Sequence, residues 1–280
     1  MEISMNRIAA LDLFGREGSF LYAPEYLIFF AIAVLTAIVL PLLLKKLPID
    51  KVQKVLVGLW IFCLVYDLVK YIISWSGSFI DKEPFNITTA MPLHTCSAFW
   101  YVGPIAFLSK NEKIKNAACC FLCTINMFGG IIGMFMATAM MSCYSMFSFY
   151  GSQTMIYHAI LFIIPSIMLV TGYYKPQKKH IWSGYLFFLA IAIPVFIFDC
   201  IFKADYMYIY DCSLLDIFKF IADAMPHRLL WTLIAFAAYF VIEIIFHFSA
   251  IGIGALCSKK KSKDTIEENN ESLEKEKSVV

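Results

Sequence analysis

Apolar residues run along this chain in long blocks, and polar residues collect between them. A membrane-spanning helix needs roughly 20 mostly apolar residues. Seven blocks meet that demand, at about 25–44, 54–75, 93–109, 115–138, 153–173, 181–202 and 229–254. The third is short and begins beside His94, so its outer end lies close to the membrane interface. The pattern predicts an all-α, polytopic transmembrane bundle of about seven helices. It divides the chain into an N-terminal outer segment (1–23), a transmembrane domain (24–257) and a polar tail (258–280).

Composition supports this reading. The chain is 60% hydrophobic and 16% charged, against about 45–50% and about 25% in soluble proteins. Asp12, Arg16 and Glu17 interrupt the first twenty residues, which therefore lack the apolar core of a signal peptide. Net charge is only +2, but its placement is informative. Lys45, Lys46, Lys51 and Lys54 follow the first block, Lys110, Lys113 and Lys115 the third, Lys175, Lys178 and Lys179 the fifth, and Lys259, Lys260, Lys261 and Lys263 the seventh. The alternate loops are poorer: 76–92 holds only Lys82, 139–152 has no Lys or Arg, and 203–228 holds Lys203, Lys219 and Arg228. The positive-inside rule then predicts the N-terminus outside and the C-terminus in the cytoplasm. Nothing in this pattern points to nucleic acid. The implied partners are membrane lipids, as solvent and as candidate substrate, and in a bacterium the site is the plasma membrane.

The remaining segments refine the outline. Residues 204–227 are too polar to span and predict an interfacial helix through Leu214, Leu215, Phe218 and Ile221, behind Tyr206, Tyr208 and Tyr210. Residues 139–152 are uncharged and aromatic, also interfacial. The tail has too few apolar residues to bury a core and is expected to be disordered. Cys119, Cys120 and Cys123 resemble a CxxC pair, but no histidine is near them in sequence, so they read as small buried hydrophobes. Cys143 and Cys212 fall in outer loops, where a disulfide would need an oxidising compartment. Asn86-Ile87-Thr88 is a glycosylation sequon that matters only in a eukaryotic host.

Ionisable side chains inside a membrane are expensive, so each is a site candidate. Asp67 and Lys70 are three apart on the second helix and share a face. His94, Thr95 and Cys96 start the third, Asn126 is mid-depth on the fourth, and His158 lies about one turn into the fifth. Asp199 lies near the outer end of the sixth, with Asp205 and Tyr206 just beyond. Most of these share one depth on the outer side, which predicts a polar cavity fed by several helices. Asp67 and Lys70 read first as a neutralised structural pair. Glu243 and His247, four apart on the inner half of the seventh helix, read as an i,i+4 hydrogen bond, with a proton relay as the alternative.

The stretch MPLHTC (91–96) carries the chemistry. A thiolate is the reactive form of cysteine and is favoured at a helix start or beside a histidine. Cys96 is then a candidate nucleophile, His158 its base from another helix, and His94 an orienting group. Thr95 is the helix cap or a rival nucleophile. The plainer reading of Cys96 is a buried small residue. A zinc site from His94, Cys96, His158 and Asp205 is a third alternative, but HxC is not a standard structural-zinc spacing. No metal or cofactor is assigned.

The order of LHTC, NMFGGIIG (126–133), TMIYHAILFIIP (154–165), FKADYMYI (202–209) and a last helix with an inner acidic residue resembles the YwaF-like bacterial membrane proteins, related to the eukaryotic transmembrane protein 164 family. The resemblance covers roughly 50–250. It implies lipid acyl transfer through a cysteine at a helix start, matched by Cys96, and a histidine ahead of a helical proline, matched by His158. His94 belongs to the bacterial LH-x-C pattern, and a related group of lipid-ester hydrolases keeps Thr95 in view. Asp205-Tyr206 departs from the expected asparagine before the tyrosine. Three functions follow: a membrane-embedded acyl hydrolase or acyltransferase; a transporter or small-molecule binder using Asp67, Lys70, Asp199 and Glu243; or a structural membrane protein.

Overall fold

The computed structural model describes residues 24–80, 87–88, 91–135, 147–210 and 228–277. Among these there are seven helical rods and no strand. They are α1 (Pro24–Leu44), α2 (Ile49–Ile80), α3 (Phe99–Leu108), α4 (Glu112–Phe135), α5 (Phe149–Val170), α6 (His180–Phe202) and α7 (Arg228–Lys277). Six are long and apolar enough to cross a membrane; α3 is not. The all-helical bundle expected from the sequence is therefore present, with one correction. The third block, expected as a span over 93–109, is helical only over Phe99–Leu108.

The centre is built by α4 and α5. Their apolar windows are 61% and 72% buried, while the other long helices reach 22% at most. The outer helices turn apolar side chains away from the protein, as lipid-facing helices do. On α1, Leu27, Ile28, Leu35, Ile38 and Leu42 are exposed, while Tyr26, Ala33 and Ala37 are buried. The small residues at 33 and 37 are one turn apart and let α1 approach the core closely.

Local chemistry sets the helix ends. Asn111 caps α4, its side-chain oxygen accepting from Lys113 N at 3.0 Å and Ile114 N at 3.3 Å. Ser148 caps α5, accepting from Gly151 N at 3.1 Å, so α5 begins four residues earlier than its apolar run suggests. Lys203 ends α6 in a left-handed conformation (φ 58°). Within α4, Leu122–Asn126 form a π segment. Single π turns inside α-helices are rare and frequently mark functional sites.

The lysine-bearing loops gather at one end. Gln53 Nε2, near the start of α2, donates to Phe107 O at the end of α3. Tyr173 OH, just after α5, donates to Ala106 O at 3.2 Å. Lys115 Nζ lies 4.9 Å from the Tyr173 ring centroid, and His247 Nε2 of α7 is 3.0 Å from Gln177 O.

The backbone of 258–277 continues α7 as helix; Lys and Glu are good helix formers even without a core to cover. Residues 211–227, 139–146, Cys143, Cys212 and Asn86 lie outside the described residues.

Candidate active site at the broken third segment

The chain enters its third segment through turns rather than helix. Pro92 disfavours helical backbone at Met91, and Thr95, Cys96 and Ser97 are small residues. Tight i to i−3 bonds follow, from Phe99 N to Cys96 O (3.2 Å) and from Trp100 N to Ser97 O (3.0 Å). Non-helical backbone at membrane depth needs partners from the protein itself, and side chains supply them. Asn126 Nδ2 donates to Thr95 O at 2.8 Å and lies 3.4 Å from Cys96 O. Tyr157 OH donates to Cys96 O at 3.1 Å. Pro104 has no N–H to offer Trp100 O four residues back, and Trp60 Nε1 donates to that carbonyl at 3.0 Å. The Trp60 ring can reach it because Gly103 lies against it: a Cβ on Gly103 would sit 2.3 Å from the ring.

The NMFGGIIG stretch of α4 now has a physical meaning. Asn126 holds the Thr95–Cys96 carbonyls. A Cβ on Gly129 would lie 3.0 Å from Thr95 Oγ1 and 3.5 Å from Cys96 N. A Cβ on Gly133 would lie 2.0 Å from His158 Cδ2 and 2.2 Å from Nε2. Gly129 and Gly133 are four residues apart, about 6 Å along one helix face. That bare face seats the Cys96 turn and the His158 ring about one turn apart. Gly130 serves the neighbouring contact, against Leu161 Cβ (2.8 Å) and His158 O (3.1 Å).

His158 is oriented from its own helix. Its Nδ1 is 2.7 Å from Thr154 O. A carbonyl only accepts, so Nδ1 carries the proton and donates, which leaves Nε2 with a free lone pair. Cys96 is not on the first turn of a helix, as expected, but in the turn three residues ahead of α3. The N-terminal helix dipole therefore acts on it from further away.

The other expected residues fall into two groups. Asp67 is buried and saturated: Lys70 Nζ is 3.0 Å from Oδ1, Gln153 Nε2 donates to Oδ1 at 2.8 Å, and Trp100 Nε1 donates to Oδ2 at 2.8 Å. It ties α2 to α3 and α5, which fits the structural-pair reading. His94 belongs with the Tyr206 loop, its ring edge-on to Tyr206 at a centroid distance of 5.0 Å. Tyr206 OH accepts from Met91 N and donates to Ile87 O, both at 2.9 Å, and so clamps the approach to MPLHTC. Asp205 Oδ1 accepts from Tyr210 N at 3.1 Å and shapes this loop. Asp199 is buried beside Tyr206 and Asp205.

Glu243 and His247 do not form the expected i,i+4 bond. Each reaches Cys120 instead, at 3.3 Å from Glu243 Oε1 and 3.2 Å from His247 Nδ1. Sequence reading missed Cys120, Thr124, Tyr157, Gln153 and Trp100. One signal was available for the first two: Cys120 and Thr124 are four apart, as are Glu243 and His247, and two such pairs at one depth present complementary faces.

No curated protein and no solved structure matches this chain. The family model described as the TMEM164 family matches residues 20–246, which include Cys96, His158 and the residues that hold them. The chain belongs to the TMEM164 family.

Proposed function

We propose that this integral membrane protein is an acyl-chemistry enzyme acting on a lipid ester, with Cys96 as nucleophile and His158 as base. The observation that carries the reading is the shared seat on α4: the glycines at 129 and 133 bring the Cys96 turn and the His158 ring to one helix face. Around that seat the backbone of the nucleophile is held by Asn126 and Tyr157 and the base by Thr154, which is the positional control covalent catalysis requires. His158 Nε2 takes the thiol proton as Cys96 Sγ bonds to the ester carbonyl carbon. The tetrahedral intermediate collapses to a thioester, and the leaving alkoxide takes the proton back from His158. Water or the hydroxyl of a lysolipid then attacks the thioester, completing hydrolysis or transfer. Thr95, His94, Tyr206, Asp199 and Asp205 shape the approach, and Asp67 with Lys70 braces the wall.

A transporter reading has less support. Asp67 is bonded by three donors, and Glu243 belongs to a separate cluster with Cys120. The test is covalent labelling in membranes with a long-chain activated ester. Wild type takes one acyl group at Cys96, hydroxylamine removes it, and His158→Ala slows uptake by about 10²–10⁴-fold. Full acylation of Cys96→Ala, or equal rates in wild type and His158→Ala, would sink the proposal.

A further inference from the structure

Between α4, α6 and α7, away from the Cys96 site, lies a second cluster. Cys120 Sγ, a Glu243 carboxylate oxygen and a His247 ring nitrogen all lie within 4.8 Å of one another, and all three residues are buried. Their polar contacts turn lone pairs toward one another. His247 Nε2 is 3.0 Å from Gln177 O. A carbonyl cannot donate, so Nε2 carries the ring proton and Nδ1 is an acceptor. Cys120 Sγ is thus within hydrogen-bond distance of two acceptors, Nδ1 at 3.2 Å and Glu243 Oε1 at 3.3 Å. A thiol has one proton. Thr124 Oγ1 donates to Cys120 O at 2.7 Å and lies against the other carboxylate oxygen, Oε2. Three electron-pair donors therefore converge on one point.

We infer that Cys120, Glu243 and His247 form a binding site for a divalent zinc-type ion that ties α4 to α7. Sulfur, imidazole nitrogen and carboxylate oxygen together are the donor set zinc takes. Zinc bonds of about 2.3 Å to sulfur and about 2.0–2.1 Å to nitrogen or oxygen place ligand atoms about 3.5 Å apart in a tetrahedron, close to the 3.3 Å and 3.2 Å that already separate Cys120 Sγ from Glu243 Oε1 and His247 Nδ1. The surrounding contacts are those of ligands held in place. His247 donates its far N–H to a backbone carbonyl, which fixes the ring with Nδ1 inward, and Thr124 orients the carboxylate. Gly184 of α6 gives the space: a Cβ there would sit 2.6 Å from Glu243 Oε1 and 2.7 Å from Cys120 Sγ. Charge also fits the surroundings. A thiolate, a carboxylate and a neutral imidazole balance a divalent ion, whereas the anions alone would be costly inside a membrane. Binding forms three coordinate bonds and releases the thiol proton to solvent, with no redox step. No histidine lies near Cys120 in the chain, so no local metal-ligand motif marks the site.

The experiment is metal analysis of the full-length protein purified in detergent after growth with added Zn²⁺, followed by chelator stripping and reloading with Co²⁺. Wild type should carry one zinc per chain, and the cobalt form should show a thiolate-to-cobalt charge-transfer band. Cys120→Ser and His247→Gln should lose the band and bind at least about tenfold more weakly, and Thr124→Val should weaken binding by about 10–100-fold. Cys96→Ala should bind normally, which separates this site from the acyl reading. A wild type without stoichiometric metal, a cobalt form without the thiolate band, or metal retained in the Cys120→Ser, His247→Gln double variant would each overturn the inference. The cobalt band is read on wild type, so the test does not depend on any variant folding.

Discussion

Gly133 matters through what it lacks. A methyl group there would lie 2.0 Å from the His158 ring, well inside contact distance. The clashing atoms are the far edge of one side chain, so the ring turns and the backbone stays. Gly133→Ala is therefore expected to cost little stability but to cut acylation of Cys96 by about 10²-fold, since a displacement near 1 Å costs about that much in catalysis. Single-turnover labelling beside a thermal melt in detergent separates the two effects; a lower melting temperature with unchanged rate would contradict this. Gly129→Ala, at 3.0 Å from Thr95 Oγ1, asks its neighbour to give only slightly and should be milder. At this scale the sequence was half legible. Cys96, His158, Asn126 and Asp67 announce themselves because polar groups in hydrocarbon are costly. The glycines do not, because a glycine in a membrane helix gains meaning only from what leans on it. Cys120 was hidden for a related reason: in sequence it is one small apolar residue among three, and its partners lie more than a hundred positions away.

At the scale of elements, the third segment shows where apolar patterning stops being informative. Its run from Ala98 to Leu108 looks like the other spans, yet α3 has only ten residues, about 15 Å of a core about 30 Å thick. The remainder is turn, and side chains on other helices pay for it: Asn126 and Tyr157 for Thr95 and Cys96, Trp60 for Trp100. Hydropathy sees the block but not the break, because Pro92 and Pro104 are its only local signs and prolines also sit inside α1, α5 and α6. Asn126→Ala should destabilise the protein by about 1–3 kcal/mol, the cost of leaving a buried carbonyl without a donor, as read by thermal unfolding in detergent. Asp67→Ala strands Lys70, Gln153 and Trp100 together and should cost more, about 3–5 kcal/mol. A loss under 1 kcal/mol for Asp67→Ala would mean that its three bonds do not brace α2 against α3 and α5.

For the whole molecule, direction rests on whether this broken segment counts as a crossing. Its two ends lie at opposite ends of the bundle. His94 packs on Tyr206, beyond α6, and Phe107 O meets Gln53 near the start of α2, among the lysine-bearing loops. Turn and short helix together therefore traverse the protein, antiparallel to α2, even though α3 alone is too short. On that count five crossings separate Thr88 from the end of α7, which predicts that the two lie on opposite sides of the membrane. The lysines predict the sign: the lysine-rich end in the cytoplasm and the Cys96 turn nearer the other face. In a bacterial host, green fluorescent protein fused after Val280 should fluoresce and alkaline phosphatase fused there should stay silent, with phosphatase active when fused after Thr88. The paired design matters because the two parts of the argument fail differently. Both fusions reporting one side would mean that 91–108 dips in and returns, leaving four crossings and no through-going third segment. Both reporting the reverse side would keep the crossing and overturn the orientation. The expected pattern requires both, and it would also fix which leaflet a lipid ester must come from to meet Cys96.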